Sequence, residues 1–191
     1  MDAVQGGAAR IFCLPVAATT AGTLAPVVQE GDGGGSLTVD GSPTNAFQVV
    51  IQITAQGGLN TAAFKASING GHSFTDEITV PVTGSYALEG TGLTVQFTEA
   101  AEVDQKPSSF LVGDTFTFSS TAPAMTNGDV LAAVDRLKEF TQEFEFIHIV
   151  GESTLPLWQA MSEAQKELMN VYHKPAFILL EAAFPQADVA G

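Results

Sequence analysis

The hydrophobic positions of this chain change their spacing once, near Ala122 to Thr126. Before that point apolar residues alternate with polar ones in short runs broken by glycine, the period of two that marks strands; after it the spacing moves to the 3.6 of helices, with apolar runs between them. Leu37 and Val39 share a face, and Phe47, Val49, Ile51 and Ile53 share another, with Gln48, Gln52 and Thr54 at intervening positions. Phe64, Ala66 and Ile68 alternate up to Asn69-Gly70-Gly71, a turn whose residues accept positive φ, and Phe74 to Val80 then runs back as the second arm of a hairpin. Tyr86, Leu88, Leu93, Val95 and Phe97 predict another hairpin around Gly90-Thr91-Gly92, and Phe110, Val112, Phe116 and Phe118 supply further strand around Gly113-Asp114. Short strands at this spacing predict a sandwich or small barrel.

Beyond the switch, Thr126 and Asp129 have capping-box spacing and open a helix whose Val130, Val134, Leu137 and Phe140 form one stripe. Phe144 to Val150 reads as an apolar strand stopped by Gly151, and Ser153 or Thr154 is placed to cap a second helix with Pro156 in its first turn. That helix is expected to turn Trp158, Met161, Leu168 and Tyr172 inward, before Pro175 ends it and Ala176 to Leu180 forms another strand. Two strands joined by a helix should lie parallel. Parallel strands need more company than one another, so the apolar segment Ala9 to Val16 is expected to join them as a third, buried strand.

The fold class that follows is α+β: a β-sandwich-like all-β insertion on a small α/β layer with parallel strands and two helices. Residues 1–20 and 122–191 would form a discontinuous α/β domain, residues 36–121 the β-rich insertion, and residues 21–35, with Gly31-Asp32-Gly33-Gly34-Gly35, a flexible connector.

Composition narrows the function classes. A chain of 191 residues can bury roughly 70% of its unfolded surface. Seven basic against 21 acidic residues give a net charge of -14, which repels phosphate backbones and anionic membranes, so neither nucleic acid nor membrane is an expected partner. Arg10 followed by Ile11 to Ala18 only faintly imitates a signal peptide, because Asp2 precedes it, no basic cluster is present and Pro15 interrupts the apolar run. Secretion is not expected, and no apolar run approaches the length of a membrane span. The protein is expected to be soluble and intracellular when made. Cys13 is the single cysteine; within Ile11-Phe12-Cys13-Leu14 it reads as a buried, inert thiol.

Gly151-Glu152-Ser153 at a strand-to-helix turn imitates a nucleophile elbow, but Leu155 stands where glycine is needed and helix capping explains the serine. His148 alternates inside a strand, His173 closes a helix, and His72 follows a hairpin turn, so the three histidines show no metal-ligand spacing. Glu30, Asp32 and Asp40, like Glu99, Glu102 and Asp104, lack the loop pattern of calcium sites and read as a solvated acidic surface. The phenylalanines read as the inner face of sheets and Trp158 as core. No catalytic, cofactor-binding or metal-binding residue is therefore assigned, no cofactor is expected, and the protein is read as not an enzyme.

Several phrases, in order, carry a family resemblance. Leu59-Asn60-Thr61-Ala62-Ala63-Phe64 through Ser67-Ile68-Asn69-Gly70-Gly71, then Glu77-Ile78-Thr79-Val80-Pro81, resembles the tail sheath-like proteins of contractile phages and prophages. So do Gly90 to Phe97, Val112 to Phe118 with Thr121-Ala122-Pro123, and Phe146 to Ser153. The resemblance implies a virion structural protein of the phage tail, made in the bacterial host cytoplasm. It would self-associate into rings around a tail tube protein and carry no catalytic residues. It also implies a β-rich insertion on the outer side of the assembly and an α/β inner layer. Sheath subunits are usually longer, with arms that exchange strands between neighbours, so this chain reads as a fragment that does not build a sheath unaided. A β-sandwich module binding carbohydrate or a host surface is the alternative, and a hydrolase ranks third.

Overall fold

The computed structural model describes residues 10–102 and 108–182. The chain separates into two compact units, residues 1–19 with 125–191 and residues 20–124. Strands in mostly antiparallel sheets, with two helices, place it in the broad α+β class.

The unit of residues 20–124 contains eight strands: β1 (Val28–Glu30), β2 (Ser36–Gly41), β3 (Gln48–Ala55), β4 (Ala63–Ser67), β5 (Ile78–Thr79), β6 (Ser85–Leu88), β7 (Leu93–Thr98) and β8 (Thr115–Ser119). They form a five-stranded sheet in the order β1-β8-β3-β4-β5 and a three-stranded sheet in the order β2-β7-β6. The period-two alternation did its work in β3 and β7, where Val49, Ile51 and Ile53, and Leu93, Val95 and Phe97, are buried while their neighbours are not. Residues of both sheets form one core cluster, through which the rings of Tyr86, Phe64, Phe97, Phe110 and Phe116 make successive contacts at 4.9–6.2 Å between centroids.

Both hairpins form. Gly70 and Gly71 take positive φ between β4 and β5, and Gly90 and Gly92 do so between β6 and β7. The return arm of the first is shorter than Phe74 to Val80: only Ile78 and Thr79 are strand, with Thr75 N–H bonding the Ala66 carbonyl. Val112 is exposed in the turn before β8 and belongs to no strand.

Segment 21–35 is not a flexible connector. Leu24 bridges Ser120, Ala25 N–H donates to the Ser119 carbonyl, and β1 pairs antiparallel with β8. Leu24 and Val27 pack on the core, so this stretch, read as a flexible connector, in fact carries enough apolar surface to be held as a sheet edge. The glycine run behind β1 is pinned by Asp114, whose carboxylate is 3% exposed and accepts N–H bonds from Leu111 at 2.7 Å and Gly33 at 3.4 Å. A Cβ on Gly31 or Gly33 would fall 2.0 or 2.1 Å from that carboxylate, which is why side chains are excluded there.

The unit containing residues 125–182 is built from α1 (Asn127–Asp135), a 3-10 turn (Arg136–Lys138), β9 (Phe146–Ser153), α2 (Leu155–Asn170) and β10 (Phe177–Ala182). Thr126 caps α1 in a full capping box, its hydroxyl accepting Asp129 N–H while the Asp129 carboxylate accepts the N–H of Thr126. Backbone and hydroxyl donors of Thr126 and the hydroxyl of Thr19 hold the Asp129 carboxyl down at about 2. The apolar stripes of α1 and α2, with Val130, Val134, Leu157, Met161 and Leu168 buried, pack with Ile147, Ile149, Ile178 and Leu180 of the strands.

Three expectations fail here. Residues 10–19 form no strand beside β9 and β10: Ile11, Phe12 and Leu14 are exposed, Pro15 offers no N–H to a ladder, and only Val16 packs in the cluster, while the Phe12 ring meets Phe140 edge-on at 5.2 Å. Ala9 lies outside the described residues. Cys13 is consequently exposed rather than buried. Trp158 and Tyr172 are also part-exposed: the buried stripe of α2 runs through Leu157, Met161 and Leu168 and leaves position 158 about 80° off its centre, and Tyr172 lies beyond the end of the helix at Asn170.

Candidate functional site

The feature with most to offer a partner is the two-stranded sheet of β9 and β10. The strands pair in parallel from Phe177 opposite Phe146 to Ala182 opposite Ser153. Alternation divides their side chains: Ile147, Ile149, Ile178 and Leu180 turn to the helices, and Phe146, His148, Val150, Phe177, Leu179 and Glu181 share the other face. That face is bare. Phe177 is 79% exposed, Val150 71%, Phe146 51% and Leu179 49%, and neither strand has a second neighbour among the described residues. Parallel strands elsewhere are covered on both faces, and their near-continuous apolar sequences reflect it.

At the C-terminal end of these strands lies a polar network. The register slips between Leu180 and Glu181, so that β9 carries an irregularity at Val150 and Gly151, with Gly151 at φ 125°. The Glu181 carboxylate spans it: one oxygen accepts Gly151 N–H at 3.0 Å and the other lies 3.1 Å from His148 Nε2. The Glu181 carbonyl accepts the Ser153 hydroxyl at 2.6 Å, and Ser153 Oγ in turn accepts the indole N–H of Trp158 at 2.8 Å.

These bonds decide what the arrangement can do chemically. Ser153 is buried, its one proton is committed to a backbone carbonyl, and its oxygen is occupied by Trp158, while His148 is paired with Glu181 and not with the serine. A serine nucleophile needs an exposed oxygen and an imidazole base on it. Neither condition is met. Ser153 is not the N-cap either: Thr154 holds that position without a side-chain cap bond, and β9 runs through Gly151 as far as Ser153.

The remaining candidates are scattered. His72 is exposed after the first hairpin turn, and His173 is exposed at φ 54° just past α2. Glu30 and Asp40 are exposed on β1 and β2, Asp32 is exposed in the glycine run, and Glu99 accepts the N–H of Leu59. Asp104 lies outside the described residues. No three His, Cys, Asp or Glu among the described residues stand close enough to share a metal ion, and no described helix is long and apolar enough to cross a membrane. Sequence reasoning missed Glu181, whose neighbours in the chain do not announce that it will bind the N–H of Gly151 on another strand, and Asp114, whose bond to Leu111 within its own turn is local chemistry that the Gly113-Asp114 turn could have signalled.

The two-unit α+β chain, with its uncovered strand pair, matches over residues 1–190 the model of the family described as DUF2586, N-terminal domain. The chain belongs to that family. No curated protein and no solved structure matches it.

Proposed function

We propose that this protein is a structural, non-catalytic subunit of a contractile phage tail sheath, assembling with copies of itself into rings around a tail tube protein within the virion. The observation that carries the reading is the bare face and open edges of β9 and β10. Covering a side chain such as Phe177 or Leu179 is worth about 1.5–3 kcal/mol each, and an isolated strand pair is marginal in water. A subunit built to be completed by its neighbours has this form. The resemblance of ordered sequence phrases to those of sheath-like proteins supports it, as does the separation into two units. In the unit of residues 20–124 the two sheets are proposed to pack as a sandwich, supported by their common phenylalanine core.

Sedimentation velocity across a wide concentration range, with electron microscopy of the associated species, tests this. Concentration-dependent association that Phe177→Glu abolishes is expected. A monomer at every concentration, for wild type and variant alike, would overturn the reading.

A second reading, a carbohydrate- or surface-binding module, draws on a groove lined by Ile68, Ser73, Phe74, Tyr86 and Glu89, which sets aromatic faces beside polar groups. Saturable binding on a glycan array, lost in Phe74→Ala, would favour it.

A further inference from the structure

The unit of residues 20–124 has four open strand edges, and they are not equivalent. β1, β5 and β6 have three, two and four residues, too short to template much pairing, whereas β2 has six in unbroken register with β7. Beside β2 runs an open groove of roughly 430 Å³, walled by Leu24 to Val27 on one side and by Leu37 to Val39 on the other.

The hydrogen-bond phase of β2 determines what it presents to that groove. Ser42 N–H bonds the Gly92 carbonyl at 3.2 Å, continuing the β2–β7 ladder by one pair. In an antiparallel ladder, bonded and non-bonded positions alternate. Thr38 and Asp40 therefore bond to β7, and Leu37 and Val39 turn their N–H and C=O groups the other way. Phe97, opposite Leu37, agrees, since its N–H goes to the Gly84 carbonyl on the β6 side. The outward groups of Leu37 and Val39 have no protein partner among the described residues.

The surroundings state the partner's charge. Glu30, Asp32 and Asp40 are exposed on the segments flanking the groove, and Lys65 on β4 is the one Lys or Arg among the described residues of this unit. A second copy docking through this same edge would set Glu30, Asp32 and Asp40 against their own counterparts. A small molecule would find the site too open to enclose it.

We propose that β2 is a strand-addition site for an extended, basic peptide segment of another protein. The peptide backbone pairs with Leu37 and Val39, its alternate apolar side chains lie along Leu24, Pro26 and Val27, and its cationic ends meet Glu30 and Asp40. The site is separate from the β9–β10 face, so it stands or falls independently of sheath assembly.

The probe is a synthetic seven-residue strand of alternating valine and threonine with lysine at both ends, titrated into the full chain while backbone amides are followed by nuclear magnetic resonance. Saturable shifts at Leu37 and Val39 are expected, with affinity falling as salt rises and falling about tenfold or more when glutamates replace the lysines. Val39→Pro removes an outward N–H and no ladder bond, which an edge strand tolerates, and should weaken binding by about tenfold. Asp40→Lys, on an exposed side chain, should reverse the preference between the two peptides whether or not the proline variant folds. Absence of saturable shifts, shifts confined to Ile68 and Phe74, equal binding of both peptides, or broadening of Leu37 and Val39 with protein concentration alone would each overturn the proposal.

Discussion

Asp114 closes the turn that opens β8, with the glycine run 31–35 packed against its carboxylate, and removing that carboxylate should loosen the turn without dismantling the sheet. The Leu111 N–H bond at 2.7 Å is made to a charged acceptor in a buried place, a class worth about 1.5–3 kcal/mol. The Gly33 contact at 3.4 Å is at the limit of a hydrogen bond and adds little. Asp114→Ala forfeits the first term, leaves the Leu111 N–H without its acceptor, and regains part of the cost of burying a carboxylate, for a net loss of about 1–2 kcal/mol. Because the bond joins local segments, the loss should appear as local opening. Amide hydrogen exchange at residues 109–114 is expected to speed up about tenfold, with β3 and β4 little changed. Asp114→Asn, which keeps one carbonyl oxygen for Leu111, should fall between wild type and alanine. Gly33→Ala sets a Cβ 2.1 Å from Asp114 Oδ2 and 2.7 Å from the Ser109 carbonyl, so it should cost less in the Asp114→Ala background than in wild type. Unchanged protection of residues 109–114 in Asp114→Ala, or full additivity of the pair, would refute the latch.

Acid should act on α1 through its cap. The Asp129 carboxyl is lowered from 3.8 to about 2, so its contribution is complete above pH 4 or so and is lost as pH falls through the folded value near 2. Asp129→Asn should flatten that loss when α1 protection is followed by hydrogen exchange between pH 4 and 2; an identical acid limb in both proteins would exclude the cap as its source. Lys174 places its ammonium 2.6–2.9 Å from the carbonyls of Leu137, Lys138 and Phe140, closing the C-terminal side of the 3-10 turn. Lys174→Met keeps the length and removes the donors, and should lower stability by about 2 kcal/mol in urea unfolding monitored by Trp158 fluorescence; a loss below about 0.5 kcal/mol would show that water replaces it at no cost.

Much of this architecture is written in local pattern. The alternation of Val49, Ile51 and Ile53 and of Leu93, Val95 and Phe97, the glycine turns at Gly70, Gly71, Gly90 and Gly92, the capping box of Thr126 and Asp129, and the helical stripe through Met161 and Leu168 are properties of neighbours in the chain. A period, a turn preference and a cap are each decided within a few residues, so the chain alone determined them. Pairing across distance is different. Ile11 to Val16 has the composition of a strand but gains none of its hydrogen bonds unless an edge is offered in register, and Pro15 weakens its claim; residues 21–35 look like linker yet find β8 waiting. Ser153 stands at an elbow-like turn by sequence, and only the approach of Glu181 and Trp158 from other elements commits both sides of its hydroxyl. Burial and hydrogen-bond partnership depend on which surfaces meet. The bare face of β9 and β10 and the outward backbone of β2 therefore became visible only in the tertiary structure.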